Sequence, residues 1–192
     1  MSVAAYIVVA LAIAISDMLL LRRCTEPLPV RLIRGLGITL LVSIVQTGLY
    51  LLGIAIGDLL RIESASDASL FARANAFIML GLFVFVILKQ LFPYLRREPK
   101  LPLFNLTDNK SVVAMAFASG INVLLTGLGM GFASPMESHM HIAVWPMLAL
   151  TFLFGMLGIM FGRQKVSMRP RRWMVVACVL LLGTAIACVV NA

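Results

Sequence analysis

Residues 52–57 read Leu52-Gly53-Ile54-Ala55-Ile56-Gly57, and residues 157–162 read Leu157-Gly158-Ile159-Met160-Phe161-Gly162. Both stretches follow the pattern LGIxxG, both close a long apolar run, and they stand 105 positions apart. The same offset pairs Asp17 with Asn122 and Leu19-Leu20 with Leu124-Leu125. An offset of 104 also fits the first run, where Val8-Val9-Ala10 meets Val112-Val113-Ala114. Gly81 and Gly183 recur in the third pair of runs. The chain of 192 residues therefore divides into two related halves.

The solvent of these halves follows from composition. Hydrophobic residues make up 61% of the chain and charged residues 12%, about half the charged share of a soluble domain. In water such a chain would expose extended apolar patches, so lipid is its expected surroundings. Six apolar runs lie at 3–21, 35–57, 74–92, 112–132, 141–162 and 173–191. Each holds about 20 residues, and at about 1.5 Å of rise per residue each crosses about 30 Å of hydrocarbon. Lipid offers nothing to an unpaired backbone amide, so the spans are expected to be helices. The alternating ten-residue segments of a strand barrel do not occur. The first run has no basic residue before it and Arg22-Arg23 after it, which is not the pattern of a cleaved signal.

Each half contributes three spans. An odd number forces the second half to enter the membrane upside down. The expected architecture is an all-α integral membrane protein of six transmembrane helices, built as two inverted three-helix repeats. The first repeat covers 1–92, a linker with Pro93, Pro99 and Pro102 covers 93–111, and the second repeat covers 112–192. Inverted repeats are characteristic of secondary transporters, whose substrate site lies near the midplane between the halves. Neither half is expected to be an independent domain.

A net charge of +8 raises the question of nucleic acid, but its distribution gives a different answer. Fourteen of the sixteen basic residues fall in 22–34, 89–111 and 162–173, and only Arg61 and Arg73 lie elsewhere. Positive charge in alternate loops places those loops in the cytoplasm and both termini outside. The partner implied is the lipid bilayer, and no nucleic acid. Cys24, Cys178 and Cys188 are expected to be free thiols, since the two on the last span are ten residues, about 15 Å, apart.

Asp17 is the one acid well inside a span. An intramembrane carboxylate is costly and marks a functional site by default. The alternative is a structural role, with Asp17 bonded to Ser16 or a neighbouring helix, or paired near the interface with Arg22. Ser43, Gln46 and Thr47 on the second span, Ser119, Asn122 and Thr126 on the fourth and Thr151 on the fifth supply further polar groups. Together with Asp17 they offer an all-oxygen set suited to a hard cation, or hydrogen bonds that hold helices together. The loop Pro135-Met136-Glu137-Ser138-His139-Met140-His141 places Glu137, His139 and His141 at alternate positions. It reads as a solvated loop or a weak transition-metal cluster. No Ser/His/Asp array, paired-carboxylate site, nucleotide fingerprint or CxxC zinc site occurs, so the chain is not expected to be an enzyme or to hold a cofactor.

Ser16-Asp17 in the first span, Gln46-Thr47 with Gly53 and Gly57 in the second, and Met156 to Arg163 in the fifth resemble the MntP-type manganese exporters of bacteria, within the lysine-exporter superfamily. The resemblance runs over essentially the whole chain in length, six-span layout and repeat, and is most specific at 156–163. It implies a multi-pass pump of the bacterial cytoplasmic membrane that expels Mn²⁺. That family has acids in its first, second and fourth helices. The first is matched by Asp17, the second falls on Gln46 and the fourth on Asn122, so two of the three positions carry amides here. An amide ligates through its oxygen but neutralises no charge. The expected metal ligands are Asp17, Gln46 and Asn122, with Ser16, Thr47 and Thr151 as weaker candidates. The leading expectation is export of Mn²⁺ or a related divalent cation. The alternatives are export of an amino acid or other small solute, and a non-transporting membrane subunit or scaffold.

Overall fold

A computed structural model describes residues 3–27, 30–61, 68–95, 104–133, 140–167 and 169–190. Six helices account for nearly all of them: α1 (Val3–Thr25), α2 (Leu32–Leu59), α3 (Ala68–Leu95), α4 (Asn109–Ala133), α5 (Met140–Arg163) and α6 (Pro170–Val190). All six contain a segment long and apolar enough to cross a membrane. Most run a turn beyond the apolar stretch seen in the sequence. Backbone hydrogen bonding continues past the apolar residues into the flanking polar turns.

The ends are built from local chemistry. Asp108 caps α4, its carboxylate accepting from the amides of Lys110 and Ser111, each at 3.2 Å. That arrangement satisfies two amides that a helix start leaves unpaired. Arg34 in the first turn of α2 donates to the carbonyls of Leu106 and Thr107 and to the Asn109 side chain, binding the start of α4 to the start of α2. At the end of α5, Lys165 takes a left-handed conformation (φ 49). Its amide bonds Gly162 and that of Val166 bonds Phe161, the Schellman closure of a helix. Arg22 on α1 then donates to the Val166 carbonyl at 2.8 Å.

Two seams carry the bundle. α2 lies along α4 and α1 lies along α5, each pair parallel. Along the first seam a methyl group added at Gly53 or Gly57 would strike the carbonyl oxygens of Leu124 or Leu128, and one at Gly127 or Gly131 those of Tyr50 or Ile54. Backbones this close admit only glycine, the GxxxG geometry of membrane helices. Along the second seam a Cβ at Gly158 would lie 2.5 Å from the Met18 carbonyl oxygen, and one at Gly162 would lie 2.7 Å from that of Arg22. Smaller contacts join α3 to α6, α1 to α6, α2 to α5 and α3 to α4.

The interior is unequal along its length. At the end opposite the basic loops the core is continuous and apolar, with Tyr6, Val9, Tyr50, Met79, Phe83 and Met130 among its buried members. Toward the basic end it splits into two smaller clusters, one around Leu21, Ile38 and Met115 and one around Met18, Leu19 and Met174. Cys24, Cys178 and Cys188 are free thiols.

Candidate functional site

Between those two clusters a cavity of about 420 Å³ lies between α1, α3, α4 and α6, with Phe104 of the linker at its edge. α1 contributes Ile13, Ser16, Asp17 and Leu20, and α4 contributes Ala118, Ser119, Asn122 and Val123. On each helix these positions recur every three or four residues, so they form one face. From α3 come Lys89, Gln90 and Pro93, and from α6 Met174. The α3 and α6 residues lie in the turns next to the basic loops, so the cavity sits toward that end. The continuous apolar core closes the other end.

Asp17 is buried, with 4% of its surface exposed. Gln46 is sealed completely and stands behind the cavity wall rather than on it. Its amide nitrogen donates to the Ser119 hydroxyl at 3.1 Å, and its side chain also hydrogen-bonds the Asp17 carboxyl. Ser119 passes its own proton to the Ala116 carbonyl at 3.2 Å. Thus α2 buttresses a site whose walls are α1 and α4.

The distribution of unpaired atoms is informative. Asp17 Oδ2, Gln46 Oε1, Asn122 Oδ1 and Gln90 Oε1 are all buried with no hydrogen-bond donor. Leaving one buried acceptor unpaired costs about 1–3 kcal/mol, and more for a charged group. Three of these residues line the cavity and the fourth is bonded to it. Pro93 adds a further acceptor, since a proline has no N–H to return to the carbonyl four residues earlier, that of Lys89. A junction with this many unpaired oxygens has the chemistry to hold a cation or an ammonium group.

The structure brings Asp17, Gln46, Asn122 and Ser16 together. It leaves the other two weaker candidates, Thr47 and Thr151, off the cavity wall. Thr151 is buried, but its hydroxyl donates to the Met147 carbonyl of its own helix at 2.6 Å. Ser43 does the same to Thr39 at 2.7 Å and Thr126 to Asn122 at 2.8 Å, so these three serve their own helices. Thr47 is buried with its hydroxyl unpaired and lies off the cavity wall. Among the described residues Asp17 makes no ion pair with Arg22, whereas Arg61 pairs with Asp58 at 3.9 Å. No cluster of three His, Cys, Asp or Glu able to hold a metal occurs among the described residues. Glu137 and His139 lie outside them, as does the side chain of His141.

Lys89 and Gln90 were not singled out in the sequence. Lys89 reads there as the first residue of a basic loop, whereas α3 continues to Leu95 and carries both residues into the cavity wall. The signal was Pro93 with Leu91 and Phe92 still apolar ahead of it: a proline this near a helix end removes one bond and does not stop the helix.

No family model, characterised protein or solved structure matches the chain. The site is therefore read from its own chemistry.

Proposed function

We propose that this protein is a secondary transporter that expels a small cation across the bacterial cytoplasmic membrane, with Mn²⁺ or a related divalent metal as its substrate. The observation that carries this reading is the cavity: a buried carboxylate and a group of unpaired oxygens at the meeting of both halves, reached from the basic end and closed by apolar packing at the other. A scaffold of the same helices would have a dry, closed junction there. With the basic loops in the cytoplasm, this arrangement corresponds to an inward-facing form. Coupling would come from the proton gradient or the membrane potential, since no phosphate-binding motif occurs.

The helix contacts support the inverted repeat on which alternating access rests. Exchanging α1 with α4, α2 with α5 and α3 with α6 maps the set of major helix contacts onto itself. The glycine contacts support one register for it. Gly53 meets Leu124 where Gly158 meets Met18, and Gly57 meets Leu128 where Gly162 meets Arg22. The first helices are thus related by 106 positions rather than the 104 or 105 suggested by sequence. In that register Ser16 corresponds to Asn122 and Asp17 to Val123, so one repeat supplies the charge and the other an amide one position away.

Export of an amino acid or other small organic cation is the second reading. The cavity volume of about 420 Å³ favours it, because pockets for small molecules begin at about 300 Å³ and a bare ion needs far less. Two experiments decide. Reconstituted protein should move Mn²⁺ down an imposed gradient, and Asp17→Asn should abolish this while leaving folded protein in the membrane. The amide keeps size and hydrogen bonding and removes the one negative charge of the cavity wall. Normal transport by Asp17→Asn refutes the site. Amino-acid counterflow without Mn²⁺ movement selects the second reading.

A further inference from the structure

Asp17 and Lys89 are the only ionisable residues on the cavity wall among the described residues. Asp17 is buried and Lys89 is exposed at the end nearest the basic loops. Arg22, the closest cation in sequence, is committed to the Val166 carbonyl. We propose that Lys89 is a tethered counter-cation: between transport events its ammonium moves into the cavity and meets Asp17, and a substrate cation binds by displacing it. This rests on the reading above that a cation is carried at Asp17.

Three observations lead there. First, an ionised carboxylate inside a membrane needs a compensating charge, and Lys89 is the one the cavity supplies. Second, the donor count fits. An ammonium has three N–H groups and no acceptor, and three lining residues carry unpaired oxygens, Asp17 Oδ2, Asn122 Oδ1 and Gln90 Oε1. These oxygens are sealed in the wall, so the acid and the amides turn toward the ammonium as it enters. Third, Lys89 has the freedom to move. Its four-carbon stem is flexible, its head is exposed, and Pro93 deprives its carbonyl of a helical hydrogen bond, loosening the turn on which it sits.

The consequence is a built-in competitor. With Lys89 inside, the cavity is neutral and its oxygens are satisfied, so the transporter can return without cargo and without leaving a bare carboxylate. With substrate inside, Lys89 moves out to the mouth among water and headgroups. The opposing possibility is that Lys89 stays at the mouth throughout and snorkels.

Zero-length carbodiimide cross-linking of the purified full-length chain separates the two, because an amide forms only between a carboxyl and an amine in contact. A cross-linked peptide joining Asp17 to Lys89, detected by mass spectrometry and suppressed by MnCl₂ or by the transported solute, is the expected result. Lys89→Met should bind Mn²⁺ about tenfold more tightly, since one positive charge near the site is removed, and Lys89→Arg should remain close to wild type. A residue that served only packing would not raise affinity when replaced. If no Asp17–Lys89 product forms and Lys89→Met binds like wild type, the inference is overturned even where Asp17→Asn still abolishes transport. If the cross-link forms but nothing tested suppresses it, displacement is overturned and Lys89 is a fixed partner of Asp17. If wild type carries no cation while the cross-link persists, the functional reading fails and the ion contact alone stands.

Discussion

The two long seams of the bundle solve the same packing problem with different residues. Where α2 meets α4, both helices provide glycine: Gly53 and Gly57 on one side, Gly127 and Gly131 on the other. Where α1 meets α5, only α5 does, with Gly158 and Gly162 lying against Met18, Arg22 and Thr25. α1 has no glycine, and its Leu21 and Thr25, both buried, lie against Gly155 and Gly162 on this seam. A helix with side chains on its seam face is held further from its neighbour. The α2·α4 seam is the tighter of the two. α1 keeps larger residues on its seam and presents Ile13, Ser16, Asp17 and Leu20 to the cavity. The chemistry thus draws one wall helix from each seam, α1 and α4.

Substitution at the glycines should break or sharpen this contrast in graded steps. Gly53→Leu should eliminate folded protein, because any side chain there meets the backbone of α4 and forces the helices apart; size-exclusion of detergent-solubilised membranes reads this as loss of the monodisperse peak. Gly53→Ala should cost about 3 kcal/mol, the upper end of overpacking penalties, and lower the melting temperature accordingly. Gly158→Ala, with one glycine-bearing helix free to adjust, should cost about 1–2 kcal/mol. Equal losses at the two positions would mean that the seams are equivalent. Gln46→Leu tests the buttress between α2 and the site. It should cost about 1–2 kcal/mol through the lost partner of Ser119, and weaken transport as well, because the Asp17 carboxyl loses its donor. A stability loss without any change in transport would detach α2 from the site. The smallest effect belongs to Gly183→Ala, where nothing lies within 4 Å of an added Cβ. Better helix propensity should leave that variant unchanged or up to about 1 kcal/mol more stable.

Six apolar runs of the right length were legible without coordinates, because lipid imposes a length and a hydrophobicity that soluble folds do not. Asp17 was legible for the same reason: one acid in so apolar a span has to be explained. The partners were only partly so. A hydroxyl looks the same in sequence whether it faces a cavity or bonds its own helix, and the backbone carbonyls four residues earlier claim Ser43, Thr126 and Thr151. Lys89 falls in both the apolar run 74–92 and the basic stretch 89–111, and its charge was read with the loop rather than with a helix face. Which residues touch across the seams, Gly53 against Leu124 and Gly158 against Met18, is information that short matches of Leu, Val and Ala do not contain.

The order of partners along the chain bears on how the protein is made. α1 has its main contact with α5, and α2 with α4. A ribosome adds about 5–20 residues each second, so about 7–28 seconds separate the release of α1 from that of α5. During that interval the first three helices wait in the bilayer without their principal neighbours, and Asp17 is without the α4 wall that will enclose it. Insertion must therefore precede assembly, as in the two-stage view of membrane folding. Any factor that shields a lone carboxylate in lipid would act on this intermediate, before the cavity exists.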